Sequence, residues 1–325
     1  MFESINTDTI DIKEILDLKK DAKVVMMSGH VRPDGDCVGA CVAVKKYIEK
    51  VRPDLEVYAY LSVVPKVFSY MNAEDVITTT LPDKKADIFF ALDLSSPDRM
   101  GDARAYFDDA DLKVVMDHHV SNEGFGDVNV IDPHGSSACE LLYHHMEKDY
   151  IDKKIAEALY TGIVTDTGGF CFPDTKKSTM IVAGELMEIG INFQEIIDSN
   201  LNNRTYTQSQ LLGRALTESM FTFDRKCIFT TITMDMMNLY EAETEDIEGI
   251  VEELRATIGV EVAILLHQIG FKEYKVSLRS KDYVDVSKIA VFFGGGGHLR
   301  AAGVEMYGSH RDVLNNLLTE LESQI

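Results

Sequence analysis

Five short apolar runs alternate with helix-patterned stretches over the first part of this chain, and that alternation limits the fold more than any other feature. "KVVMMS" (23–28), "LEVYAYL" (55–61), "ADIFFALDL" (86–94), "LKVVMD" (112–117) and "DVNVID" (127–132) predict strands. "CVGACVAVKKYIEK", "DRMGDARAYFDDA" and "SSACELLYHHMEK" predict helices between or after them. Strand–helix alternation of this kind argues for an α/β domain with a mostly parallel sheet. From about 153 to 219 the pattern is almost entirely helical. Near 220 it changes again: "MFTFDRKCIFTTIT", "VEVAILLHQIG" and "EYKVSLRS" predict strands, with helices at "DIEGIVEELRATIG" and "HRDVLNNLLTELES". At 325 residues two domains are the default. The expected division is an N-terminal α/β domain with a mostly parallel sheet over 1–191, a helical linker over 192–217, and a smaller α/β domain with a mixed sheet over 218–325.

Charge restricts the partners. Fifty-four acidic residues against 32 basic ones leave a net charge of −22. Long nucleic acid binds mainly through many phosphate contacts to Lys and Arg, so it is excluded as a partner. A short phosphorylated substrate, gripped locally, fits. The apolar runs are too short to span a bilayer, so no membrane association is expected. No signal-peptide pattern opens the chain. Five scattered cysteines without a C-x-x-C pair fit reduced thiols in a cytoplasm.

In open α/β sheets ligands sit beyond the carboxyl ends of the strands, so those ends locate candidate chemistry. The first strand runs into "SGHVRPDGDC", carrying His30, Asp34 and Asp36; the third ends at Asp93; the fourth delivers Asp117, His118 and His119. Asp166 interrupts the apolar helix pattern of "GIVTDTGGF". Each piece alone is as compatible with a turn or a hydrogen-bonded structural histidine as with a site. Together they place carboxylates after apolar strands, which costs several kcal/mol without a counter-charge. A mixed Asp/His set suits a pair of divalent ions, and imidazole favours Mn²⁺ over Mg²⁺. Cys37 and Cys41 lack the companions of a zinc site and are packing residues by this reading. His134, His144, His145, His267 and His310 have no ligand-spaced companion.

His30-x-x-x-Asp34-x-Asp36, Asp93, Asp117-His118-His119 and Asp166 resemble, in order, the four motifs of the DHH phosphoesterase superfamily. "FGGGGHLRAAG" (293–303) resembles the glycine-histidine signature of the DHH-associated domain, here Gly295, Gly296, Gly297, His298, Ala301, Ala302 and Gly303. The resemblance covers roughly residues 20–305, and the two-domain length is similar to the group of nano-RNases and pAp phosphatases. It implies two divalent metal ions, Mn²⁺ first and Mg²⁺ second. His30, Asp34 and Asp93 would hold one; Asp36, Asp93, His118 and Asp166 would hold the other; Asp93 would bridge. Paired ions about 3.5 to 4 Å apart clamp an in-line phosphoryl displacement. His119 is the implied phosphate-contacting catalytic acid, and Asp117 its orienting carboxylate.

For the second domain the resemblance implies substrate binding by Gly295, Gly296, Gly297 and His298, with glycine amides forming an anion nest. Arg279 in "VSLRSK" matches a terminal-phosphate clamp, whose fork suits phosphate oxygens. Without the resemblance it reads as an exposed strand cation. Arg99, Ser136 and Ser137 lie near the motifs, though the serines equally serve as helix N-caps. "IDPHGSSACE" departs from the family in carrying Ala-Cys where a Thr-rich segment is expected.

The expected function is metal-dependent hydrolysis of short oligoribonucleotides (nano-RNA, linear dinucleotides) and 3′-phosphoadenosine 5′-phosphate (pAp), with a homodimer implied by the family. The alternatives are a cyclic-dinucleotide phosphodiesterase, an inorganic pyrophosphatase or exopolyphosphatase, and a nucleotide-binding sensor without turnover. A long-DNA exonuclease would need more binding surface than this short acidic chain offers.

Overall fold

The computed structural model describes residues 9–325. It divides between Asn203 and Arg204 into two compact units. The helices of the 192–217 stretch are shared out: Phe193–Ile197 packs in the first unit and Tyr206–Thr217 in the second.

The first unit is built on a parallel sheet of β1 (Val24–Ser28), β2 (Glu56–Tyr60), β3 (Ile77–Thr78), β4 (Ile88–Leu92), β5 (Leu112–Asp117) and β6 (Val128–Ile131). Their order is β3-β2-β1-β4-β5-β6. The central runs are apolar throughout because both faces are covered. On β4, Ile88, Phe90 and Leu92 enter one core cluster, while Phe89 and Ala91 enter the other. The two-residue edge strand β3 carries too little pattern to be read from sequence. The predicted helix over 98–110 is broken: Gly101 adopts φ +57°, separating the turn Pro97–Ala103 from the helix Arg104–Asp109.

Strand order matters for the site. It reverses direction between β1 and β4, and that switch point is where such sheets open a crevice for ligands. The helix Gly35–Val51, which follows β1, packs against the helix Lys153–Asp166. Close approach requires glycine on both sides: a Cβ on Gly39 would lie 2.4 Å from the Ala158 carbonyl oxygen, and one on Gly162 would lie 2.4 Å from Asp36 Oδ1.

The second unit carries a mixed sheet of β7 (Met220–Thr222), β8 (Cys227–Ile232), β9 (Val262–Gly270), β10 (Glu273–Ser280), β11 (Gly296–His298) and β12 (Ala301–Tyr307), ordered β11-β12-β10-β9-β8-β7. Only β8 and β9 pair in parallel. The glycine-rich stretch is a tight edge hairpin, β11–β12, whose pairing satisfies backbone groups that a loop would leave to water. On β10, Tyr274, Val276 and Leu278 enter one core, and Lys275, Ser277 and Arg279 line up on the opposite face. Among the described residues no helix is long and apolar enough to cross a membrane.

Candidate metal centre

Each acidic or histidine side chain reaches the first unit's crevice from a different element. His30 and Asp34 follow β1; Asp34 caps the Gly35–Val51 helix, its Oδ1 accepting from the amides of Asp36 and Cys37 at 3.1 Å each. Asp36 sits in the first turn of that helix, fully buried. Asp93 follows β4 with φ +53°, a left-handed backbone that a non-glycine residue rarely adopts and that recurs at functional sites. Asp117 ends β5, and His118 and His119 follow it. Asp166 is the last residue of its helix.

Asp93 is the hub. Its Oδ2 lies 3.4 Å from His30 Nε2, and its Oδ1 lies 3.6 Å from both His118 Nε2 and His119 Nδ1. His30 Nε2 is also 3.4 Å from Asp34 Oδ2. His118 Nε2 lies 3.2 Å from Asp166 Oδ2 and 3.8 Å from Asp36 Oδ2. All six candidate ligands therefore converge, in two overlapping sets that share Asp93. His119 is held apart by its own partner: its Nδ1 is 2.7 Å from Asp117 Oδ1, while Asn122 donates to Asp117 Oδ2 at 2.7 Å and to the Leu94 carbonyl at 2.9 Å. A carboxylate only accepts, so Nδ1 carries the hydrogen and His119 turns Nε2 elsewhere.

The cluster is short of positive charge. Burial, and then the charge of Asp93, pushes Asp36 up to about 7. Burial and Asp36 push Asp166 up to about 8. Burial would lower both histidines, yet Asp34 and Asp93 raise His30 to about 10, and Asp93, Asp36 and Asp166 raise His118 to about 10. Burial works against the Asp93 charge, but hydrogen bonds with His118 and His30 hold its carboxyl well below the usual range. Asp117 is likewise lowered: burial opposes, His119 and Asn122 prevail. Protons thus do here what divalent cations would do better.

The donor set fits such cations. Three groups in this region have ligand atoms close enough to share an ion: His30, Cys37 and Asp93; Asp93, His118 and His119; and Asp36, His118 and Asp166. Hard carboxylate oxygens with imidazole suit Mn²⁺ or Mg²⁺. Cys37 is fully buried, and burial pushes its thiol well above the ordinary range, so it stays a neutral packing group. The amides of Ala138 and Cys139 donate to Asp36 Oδ2 and Oδ1 at 2.6 and 2.9 Å. The departure noted at this Ala-Cys pair therefore touches how Asp36 is held, through backbone groups that any residue supplies. Ser137 caps its helix, accepting from the Glu140 amide at 3.0 Å, and Ser136 Oγ donates to Glu140 at 2.5 Å, so both serines are engaged structurally. The Arg99 carbonyl accepts from the Val31 amide at 2.8 Å, which anchors the loop containing His30.

In the second unit, cross-strand register aligns His298, Ala301 and Arg279 on one face, with Gly296, Gly303 and Ser277 in the next row. Gly297, at φ +143°, leaves no room for a side chain: a Cβ would lie 2.5 Å from the Ala301 carbonyl. A Cβ on Gly295 would lie 2.3 Å from the Gly303 carbonyl. The amides of Gly294 and Gly295 donate to Val291 and Ala290 at 3.0 and 2.8 Å, so these two are committed to the helix end and do not form an anion nest. Arg279 Nε donates to Glu252 Oε1 at 2.8 Å, a partner that sequence spacing gave no sign of. Arg300 donates to the Val284 carbonyl at 2.8 Å and to that of Asp282, and buried Glu261 accepts from the amides of Asp282, Tyr283 and Val284. These two residues brace the 282–284 turn. Neither Glu261 nor Asn122 carries a sequence signal, since each acts through contacts far along the chain.

Residues 24–163 match the DHH family, N-terminal domain, and residues 229–325 match the DHHA1 domain. The bifunctional oligoribonuclease and PAP phosphatase NrnA of Thermus thermophilus is 28% identical over 299 residues, covering 89% of this chain and 86% of that protein. The Bacillus subtilis protein of the same name is 26% identical over 312 residues, covering 92% of this chain and 94% of that one. The crystal structure of an exopolyphosphatase-related protein from Bacteroides fragilis superposes with a TM-score of 0.82 at 25% identity, over 96% of this chain and 95% of that one. Ordered motifs, sheet order and both domain matches agree: this chain belongs to the DHH phosphoesterases, with a DHH N-terminal domain followed by a DHHA1 domain.

Proposed function

We propose that this chain is a metal-dependent hydrolase of short oligoribonucleotides, linear dinucleotides and pAp, acting as a homodimer in the cytoplasm. The observation that carries the reading is the Asp93 carboxylate, whose two oxygens face different histidines at 3.4 and 3.6 Å. Two divalent ions, Mn²⁺ before Mg²⁺, would be held by His30, Asp34 and Asp93 on one side and by Asp36, Asp93, His118 and Asp166 on the other. Bound there, they supply Lewis acidity toward a phosphoryl group. His119, oriented through Nδ1 by Asp117, presents Nε2 to hold or release a proton at the leaving oxygen. The catalytic role belongs to residues 1–191 in this reading, the linking role to 192–217 and the substrate grip to 218–325, with Arg279 and His298 on one sheet face and Gly295 to Gly297 beside them.

The net charge of −22 supports small substrates, because every unneutralised phosphate of a long strand is repelled. The names of the Thermus and Bacillus relatives support the same choice. Polyphosphate or pyrophosphate hydrolysis is the second reading, favoured by the likeness to the Bacteroides fragilis protein. A substrate panel separates them. With Mn²⁺, the purified chain is expected to release mononucleotide from short RNA and phosphate from pAp, with Asp93→Ala and His118→Ala strongly reduced. Cleavage of pyrophosphate or polyphosphate alone, with RNA and pAp intact, overturns the nucleotide assignment.

A further inference from the structure

A cavity of about 390 Å³ opens in the second unit beside Arg279, between the β9–β10 face and the segment Thr244–Glu252. Alternation along β10 places Lys275 and Ser277 on the same face as Arg279, and the β9 register sets His267 beside Lys275 and Leu265 beside Ser277. All of these line the cavity, with Ile247 and Val251 as further apolar wall.

Polar groups in this cavity are left over. His267 is only 6% exposed, and its Nδ1 has no hydrogen-bond partner among the described residues. A buried polar atom is seldom left unpaired without a reason. Burial and the nearby Lys275 charge lower the His267 pKa, which keeps the ring neutral at pH 7, one nitrogen donating and the other accepting. Arg279 and Glu252 are already paired at 2.8 Å. Lys275 and Glu248, which also lines the cavity, make no ion pair among the described residues.

One unpaired cation, one unpaired carboxylate, a neutral imidazole and apolar walls do not describe a site for a bare phosphate, which Glu248 would repel. They describe a site for a flat neutral body with acceptors on one edge and donors on another. Among nucleobases guanine has that layout most fully: O6 and N7 accept, while N1–H and the N2 amino group donate side by side to a carboxylate. Uracil offers a single N–H between two carbonyls.

We propose that this cavity is a base subsite, selective for guanine, taking the nucleoside whose phosphate Arg279 binds. Lys275 donates to the O6/N7 edge, Glu248 accepts from the N1/N2 edge, and His267 closes the inner end. The inference rests on the nucleotide reading above, and the experiment keeps the two separable.

The test is equilibrium binding of 5′-GMP, 5′-AMP, 5′-UMP and inorganic phosphate to the intact chain in EDTA, so that no turnover intervenes. Wild type is expected to prefer GMP to UMP by about tenfold, the worth of one net hydrogen bond. Lys275→Met and Glu248→Gln each bring GMP down towards UMP and leave phosphate unchanged. Arg279→Met weakens all four ligands. Equal binding of the three nucleotides by wild type overturns the subsite, as does a GMP preference that survives both substitutions. Turnover of short RNA, measured separately with Mn²⁺, tests the function: a guanine preference without turnover supports the subsite and sinks the reading it rests on.

Discussion

Gly162 lies directly behind the Asp36 carboxylate: a Cβ added there would sit 2.4 Å from Asp36 Oδ1. The same atom would come within 2.3 Å of Cys139 Sγ. Neither neighbour can yield easily, because Asp36 is pinned by the Ala138 and Cys139 amides. Gly162→Ala is therefore expected to destabilise the first unit by about 1–3 kcal/mol through overpacking. It should also weaken Mn²⁺ binding, since Asp36 must move. Thermal unfolding in EDTA reads the first effect and a Mn²⁺ titration the second. Unchanged Mn²⁺ affinity would show that Asp36 is not a ligand.

Loading of the cation site should depend on pH with a definite sign. Without metal, His30 and His118 (each raised to about 10) bind protons at pH 7, and Asp166, raised to about 8, largely does. A divalent cation binds the deprotonated forms, so it must displace these protons. Apparent Mn²⁺ affinity is expected to fall steadily as pH drops from 8 to 6. Calorimetry in buffers of different ionisation enthalpy should report net proton release. A pH-independent affinity with no proton release contradicts this account.

Asp117 orients His119 through a 2.7 Å contact and does not face the ligand set directly. Removing the imidazole in His119→Gln is expected to lower kcat by about 10²–10⁴-fold, the usual worth of a general acid or base. Asp117→Asn keeps the shape but loses the charge, and should lower kcat by a smaller factor while altering the pH–rate profile. Mn²⁺ affinity should stay close to wild type in the His119 variant. A large loss of Mn²⁺ binding there would make His119 a ligand instead.

Arg279 shares its guanidinium: Nε donates to Glu252 at 2.8 Å and Nη1 to the Leu278 carbonyl at 3.1 Å, so the Glu252 carboxylate competes with a phosphate for the same cation. The Arg279 and Glu252 side chains are 27% and 42% exposed, so water screens the pair and its worth is about 0.2–1 kcal/mol. Glu252→Gln is expected to lower KM for short RNA by roughly two- to fivefold with kcat unchanged. A raised KM would mean that Glu252 positions Arg279 for binding.

Much of the site was legible in the chain because its residues sit where strands end. A hydrophobic run followed at once by Asp or His is a local pattern, and His30, Asp93 and Asp117-His118-His119 all show it. The central strands of both sheets were legible for the same reason, each carrying five to nine residues of pattern. The edge pieces were not. Ile77–Thr78 is two residues long, and Gly296–His298 is stabilised by pairing with Ala301, Ala302 and Gly303 across a tight turn, not by its own composition.

Sequence alone determined which residues stand beyond the strands, and so the chemistry on offer: four aspartates and two histidines with a third beside them. Only the tertiary structure decided that β1 lies next to β4, which brings His30 within 3.4 Å of Asp93 although 63 positions separate them along the chain. It also decided that Asp36 leans on the amides of Ala138 and Cys139, that Asn122 steadies Asp117, and that Arg279 is held by Glu252. The physical reason is common to all of these. Strand polarity and hydrophobic period are local properties, whereas hydrogen bonds and charge pairs between distant segments depend on sheet order and close helix packing, which no short window of sequence contains.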